Sequence, residues 1–343
     1  MNISLYNRSF LTLLDFSEAE IKFLLDLSLQ LKRKRKNGIN GTLLQGKNIA
    51  LLFEKTSTRT RSAFEIGIIE EGGYPSFIDV SSSQFGKKES VEDSAKVLAG
   101  YFHGIEFRGY AQQTVEDLAK YSGIPVYNGL TDEDHPTQIL ADLLTIQEKL
   151  PSKPLSQIKV AYVGDTRNNM ANAWMYGCAK LGMHFVGYGP KELHPTKEFI
   201  DKAKVNAKNG TSIEISDNPD CLIGADVIYT DVWVSMGEEH ELQKRAQLLQ
   251  NYKITPELMA YTQNPDVIFM HCLPAFHDDH TAIVQKAKDE FGIDIKEVSD
   301  KVFRGKNSVV FEQAENRLHT IKSILVATLA APEKVIEQLN QGN

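Results

Sequence analysis

Cysteine is scarce in this 343-residue chain. Cys178, Cys221 and Cys272 are odd in number and widely spaced, which fits neither a disulfide framework nor a zinc ribbon. A reducing, cytoplasmic setting is the expectation. Long apolar runs are missing too: none approaches the roughly 18 residues of a membrane helix. Met1–Leu14 has no basic cluster ahead of an apolar stretch, and Asp15 interrupts it, so no secretory signal is expected. Positive charge is in deficit, 38 Lys and Arg against 45 Asp and Glu for a net charge of −7, which argues against nucleic acid as a partner. No strand candidate is followed by the G-x-G-x-x-G spacing of a dinucleotide site, and there is no internal repeat or low-complexity segment. What is present is an ordinary globular composition, 42% hydrophobic and 24% charged, in a chain long enough for two cores.

Periodicity supplies the architecture. Ser17 and Glu20 form a capping box ahead of Ile21, Leu24, Leu25, Leu27 and Leu31, a helix by spacing. It closes in Lys32-Arg33-Lys34-Arg35-Lys36, read as a solvated last turn that complements the helix dipole. Strands are expected at Ile49–Phe53, Ser76–Val80, Gly104–Phe107 and Val126–Tyr127, and a helix follows His135-Pro136. Leu150–Pro154 breaks the pattern as an interdomain linker. A second alternating half begins at Ile158–Val163, with further strands at His184–Tyr188, Asp226–Tyr229 and Val267–Met270. The last long helix is expected from about Ala314, with Leu318, Ile321, Ile324, Leu325 and Leu329 on its apolar side. The fold class is therefore α/β, two doubly wound domains with mostly parallel sheets.

In such sheets ligands sit beyond the carboxyl ends of the strands, so the polar residues there carry the candidate chemistry. Ser57-Thr58-Arg59-Thr60-Arg61 lies between a strand and a helix expected to begin near Ser62. Hydroxyls, a helix N-terminus and guanidinium forks make an anion site, with phosphate the obvious guest. Arg59 and Arg61 are about 200° apart on a helix, and Arg61 has Glu65 four residues on, so Arg59 is the ligand candidate. Arg108 stands at another strand end. His135 opens the helix of Pro136-Thr137-Gln138, where its charged form is disfavoured. A neutral imidazole N–H there can polarise a carbonyl oxygen. In the second half, Gly164–Asn169 offers polar groups to a small molecule. The carboxylate of Asp231 suits an ammonium group, and Ser235-Met236-Gly237 suits a pocket wall. Cys272 is a thiol at a strand end, either a nucleophile or a polar contact near an amine. His277-Asp278-Asp279-His280 reads as a polar loop; no metal ligand set is assigned.

Ser57–Arg61, His135–Gln138, Asp231 with Ser235-Met236-Gly237, and His271-Cys272-Leu273-Pro274 together resemble the aspartate/ornithine transcarbamylase family, over about Leu14 to Leu329. The first two motifs are shared across the family; the last two mark ornithine as acceptor. The resemblance implies a carbamoyl-phosphate domain over 1–150, completed by a returning C-terminal helix 314–330. It implies an ornithine domain over 151–313, and assigns no role to the tail 331–343. Carbamoyl phosphate would be held by Ser57, Thr58, Arg59, Thr60, Arg108, His135, Pro136, Thr137, Gln138, Cys272, Leu273 and Arg317. Gln84 would be offered to a neighbouring subunit. Ornithine would be held by Asn169 (or its neighbour Asn168), Asp231, Ser235 and Met236. Ser62 departs from many bacterial relatives, which carry cysteine there.

The implied partners are carbamoyl phosphate and L-ornithine, without nucleic acid or membrane, in a homotrimer or a multiple of trimers with sites between subunits. The implied reaction gives L-citrulline and phosphate, serves arginine synthesis or breakdown, and calls for no cofactor. Its catalytic residues would be Arg59, Arg108, His135, Asp231 and Cys272. Two rivals remain: carbamoylation of another amine such as putrescine, and a catalytically silent binding protein.

Overall fold

A computed structural model describes residues 3–234 and 239–340. The chain divides into two compact units. The first holds the residues up to Leu144 together with those from Glu315 on; the second holds Thr145–Ala314. Both divisions fall inside helices, Pro136–Lys149 and Val310–Leu329.

The first unit is built on four parallel strands: β1 (Asn48–Phe53), β2 (Tyr74–Asp79), β3 (Gly104–Arg108) and β4 (Val126–Leu130), in the order β2-β1-β3-β4. β1 and β3 are central and almost wholly buried; β1 reads as a near-continuous apolar run, as parallel strands covered on both faces do, whereas β3 alternates Ile105 and Phe107 with Glu106 and Arg108. Alternation sends Ala50, Leu52, Ile105 and Phe107 into one cluster with Val115 and Leu118. Glu106 and Arg108 fall on the other face. The opening capping box forms in both directions, Ser17 N–H to Glu20 at 2.7 Å and Glu20 N–H to Ser17 at 3.3 Å. The C-terminal helix returns to this unit, where Ser323 bonds Ser28 at 2.8 Å.

The basic turn is less solvated than expected. Lys32 is buried and donates to Asn316 Oδ1 at 2.7 Å, Arg35 pairs with Glu70 at 2.8 Å, and Lys34 bonds Gln338 at 3.1 Å. Those partners lie far away in sequence, so local reading had no access to them.

The second unit carries five parallel strands: β5 (Lys159–Val163), β6 (His184–Tyr188), β7 (Ser212–Ser216), β8 (Val227–Thr230) and β9 (Ile268–His271), in the order β7-β6-β5-β8-β9. The edge strand β7 was not expected from sequence, because Ser-Ile-Glu-Ile-Ser carries only two apolar residues. The strand order reverses beside β1 and β3 in one sheet and beside β5 and β8 in the other. Ligand sites of doubly wound sheets lie at these points.

Two helix starts also move. The helix expected near Ser62 begins at Arg59, and the last long helix begins at Val310 rather than near Ala314. The tail carries a further helix, Pro332–Asn340, with Val335 buried. Among the described residues, no helix is long and apolar enough to cross a membrane.

Candidate active site

In the first unit, the turn after β1 and the end of β3 lie side by side, since Phe53 and Arg108 are register partners. Ser57 Oγ accepts the N–H of Thr60 at 3.1 Å, which satisfies one free N–H in the first turn of the helix Arg59–Glu70. Arg61 turns away from this end of the sheet. It bonds Glu65 at 2.8 Å, and its guanidinium lies 3.6 Å from the centre of the Phe77 ring.

Thr60 is the hub. Its buried hydroxyl accepts from Arg108 Nη1 at 3.3 Å and from Arg317 Nη2 at 2.9 Å. Arg317, on the returning helix, also donates to Gln138 Oε1 at 2.5 Å and approaches His135 Nε2 at 3.5 Å. Gln138 is itself oriented by donating to Asp142 Oδ1 at 2.8 Å. Thr137 Oγ1 lies 3.4 Å from His135 Nδ1. Both imidazole contacts are long, so neither fixes the tautomer. Thr60, Arg108, His135, Gln138 and Arg317 are thus brought together, with Pro136 and Thr137 buried behind them. Thr58 is exposed, Arg59 is half-buried, and Gln84 is exposed in the segment after β2.

Burial holds the His135 pKa well below the ordinary histidine value, and the positive charges of Arg317, Arg108 and Arg59 push it further down. The imidazole is neutral, as the sequence suggested, but the larger cause is desolvation rather than the helix end. Sequence reading overlooked Glu106. Its carboxyl is completely buried, neither oxygen has a hydrogen-bond partner, and burial raises its pKa well above the usual range against the opposing pull of Arg108 and Arg317. Gly129 makes the room: a Cβ there would stand 1.9 Å from Glu106 Oε1. The signal was available, since Glu106 and Arg108 alternate onto the same face of one strand.

In the second unit, both polar atoms of the Asn168 amide are engaged by the fold. Its Oδ1 caps the helix Asn169–Leu181 by accepting Ala171 N–H at 2.9 Å, and its Nδ2 donates to Tyr162 Oη at 2.6 Å. Asn169 follows, half-buried in the first turn. Asp165 ion-pairs with the buried Arg245. Beyond β8, Asp231 Oδ1 accepts the N–H of Val232 at 2.8 Å. Ligand atoms of Asp231, His271 and Cys272 lie within 4.8 Å of one another. Burial raises the Tyr162 pKa well above its ordinary value, assisted by Asp231 and then Cys272. Ser235, Met236 and Gly237 lie outside the described residues.

His271 organises the strand end. Its Nδ1 accepts Leu273 N–H at 2.9 Å, which leaves Nε2–H to donate to the buried Glu297 at 3.1 Å. Leu273 adopts φ +57° and precedes a cis proline, Pro274. Both His271 nitrogens are engaged, so the group reads as a hydrogen-bonded one rather than a prepared metal site. In the polar loop, His277, Asp278 and Asp300 also come within 4.8 Å, with Arg304 bonded to both carboxylates and the His277 ring stacked on Phe303 at 3.8 Å.

With arginines and a neutral histidine gathered around one strand-to-helix turn, the first unit is a parallel α/β domain of the anion-binding kind. Residues 8–148 match the family description "Aspartate/ornithine carbamoyltransferase, carbamoyl-P binding domain", and residues 156–328 match the "Asp/Orn binding domain" of the same family. The chain belongs to the aspartate/ornithine carbamoyltransferase family. It is 58% identical to the catabolic ornithine carbamoyltransferase of Clostridium perfringens over 331 residues, 96% of this chain and 99% of that protein. The ornithine carbamoyltransferase structure from Pyrococcus furiosus superposes with a TM-score of 0.85 at 38% identity, covering 95% of this chain and 98% of that one. The anabolic enzyme structure from Campylobacter jejuni gives 0.82 at 36% identity, covering 93% and 97%.

Proposed function

We propose that this chain is an ornithine carbamoyltransferase, moving the carbamoyl group of carbamoyl phosphate to the δ-amine of L-ornithine to give L-citrulline and phosphate. The observation that carries the reading is the convergence of Arg108 and Arg317 on Thr60 beside a neutral His135. It occurs in a chain 58% identical to a named ornithine carbamoyltransferase. Arg59, Arg108 and Arg317 around a helix N-terminus suit a phosphate dianion. An uncharged imidazole suits the carbonyl next to it.

In the proposed reaction, the amine nitrogen of ornithine forms a bond to the carbamoyl carbon, and the bond from that carbon to the phosphate oxygen breaks. Alkyl amines titrate near about 10.4, so the amine must lose a proton before it attacks. Asp231 and Cys272 position the amine once its ammonium proton has passed to solvent, and departing phosphate can accept the second nitrogen proton, released after the new C–N bond has formed. Arg108, His135 and Thr60 stabilise the carbonyl oxygen as negative charge develops, while Arg59, Arg317 and the Ser57–Thr60 turn hold the phosphate. In this reading Gln138, fixed by Asp142, and Leu273, fixed by His271, would bond the carbamoyl amide. Holding two substrates in register supplies much of the rate.

The assembly is proposed to be a homotrimer, or a multiple of one, in the cytoplasm, with Gln84 completing a neighbour's site. Support comes from β2, an edge strand whose Tyr74 and Phe77 are exposed, with Ile66 and Ile69 exposed on the adjacent helix; such apolar edges ordinarily mark contacts. Light scattering tests it: a fully active monomer refutes the shared site. Parallel assays with ornithine and putrescine test the acceptor. Citrulline should form much faster, and equal or faster carbamoyl-putrescine formation overturns the choice.

A further inference from the structure

We propose that Lys55 is a positioning residue that clasps the phosphate turn to the ends of β3 and β4, instead of serving as one more charge aimed at the anion. The inference rests on the reading of Ser57–Thr60 as the phosphate site.

Lysine is almost never buried unless paired, yet Lys55 is only 7% exposed, two residues beyond β1 and two before Ser57. Its ammonium pairs with Asp132, in the segment after β4, and stands 4.4 Å from the centre of the Tyr110 ring, in the segment after β3. The surrounding backbone is laced the same way. Glu54 N–H donates to Arg108 O at 2.8 Å and Lys55 N–H to the same oxygen at 3.4 Å. Tyr110 N–H donates to the Glu54 carboxylate at 3.1 Å, and Asp132 N–H to Tyr110 O at 2.8 Å. One side chain therefore ties three strand ends together and fixes the spacing between the Ser57 turn and Arg108. Asp132 offsets its charge, so little net field is left to attract an anion.

The two roles make opposite predictions. If Lys55 acts through its charge, Asp132→Asn unmasks that charge and tightens anion binding. If it acts as a clasp, Asp132→Asn loosens the turn as Lys55→Met does. Calorimetry with inorganic phosphate and steady-state kinetics with both substrates decide. We expect each single variant to raise the phosphate Kd and the carbamoyl-phosphate KM on the order of tenfold, within the loss that an ångström of misplacement causes. The ornithine KM at saturating carbamoyl phosphate should stay unchanged. The double variant should be no worse than either single one, since both break one contact. Lys55→Arg, able to pair with Asp132 and stack on Tyr110, should recover most of the affinity. Tighter phosphate binding by Asp132→Asn, or full additivity in the double variant, overturns the proposal. Asp132 is 60% exposed, so its variant serves even if Lys55→Met does not fold. Failure of the wild-type protein to bind phosphate would instead count against the phosphate reading itself.

Discussion

Replacing His135 with glutamine should make the protein less sensitive to acid. The folded imidazole is kept neutral by burial and by the charges of Arg317, Arg108 and Arg59, so its pKa lies well below the ordinary value. An unfolded histidine titrates near about 6.5. Above that pH both states are neutral and the residue has no effect on the slope. As the pH falls through it, the unfolded chain takes up a proton that the native state refuses, and stability drops by about 1.4 kcal/mol per pH unit until the folded pKa is reached. Between about pH 7.5 and 5.5 the wild-type protein should therefore lose about 1.4 kcal/mol through His135 alone, and the His135→Gln variant should not. His319, pulled down to about 4 chiefly by burial, adds its own slope to both proteins and cancels in the difference. The assay is urea denaturation of both proteins across that range, compared by slope because glutamine shifts the absolute stability for packing reasons. Parallel profiles would refute the assignment of a neutral, desolvated imidazole.

Glu106→Gln should act in the opposite pH direction. An unfolded glutamate ionises near about 4.3 while the buried one keeps its proton, so wild-type stability should fall as pH rises above that value and the variant's advantage should grow from about pH 5 to 7. Denaturant titrations check this, and a constant difference would contradict it. Arg59→Ala should lower kcat/KM for carbamoyl phosphate at least about 100-fold, whereas Arg61→Ala, which loses a half-exposed pair with Glu65, should cost well under about 1 kcal/mol of stability and little activity. Steady-state kinetics separate the two arginines, and near wild-type turnover by Arg59→Ala would remove it from the phosphate site. Asp231→Asn and Cys272→Ser should raise the KM for ornithine far more than that for carbamoyl phosphate, which initial-rate measurements with each substrate varied in turn will show.

The sequence was most legible where burial is symmetrical and local. β1, β5 and β6 are covered on both faces and announce themselves as short apolar runs, and β3 is marked by Ile105 and Phe107, so their carboxyl ends, and with them the Ser57 turn, Arg108 and the Gly164 turn, are legible in the sequence. β7 escaped because an exposed edge strand needs few apolar residues. The helix after the Ser57 turn begins earlier than its apolar pattern, since Ser57 accepts a first-turn N–H and that turn carries arginines rather than core residues. Partnerships across long separations left no mark in a single sequence. Lys55 and Asp132 are 77 residues apart, and Arg317 and Thr60 are 257 apart. Their association is a product of the sheet order and the returning helix. Ion pairs of this kind have no periodicity to read.

The most direct test is the reaction itself, followed with carbamoyl phosphate labelled at its carbonyl carbon and L-ornithine as acceptor. Simultaneous measurement by carbon NMR and phosphate assay should show label appearing in citrulline in one-to-one proportion with released phosphate, and this signal should be lost in the Arg59→Ala variant. Phosphate release without labelled citrulline, or no turnover when both substrates are supplied, would contradict the account.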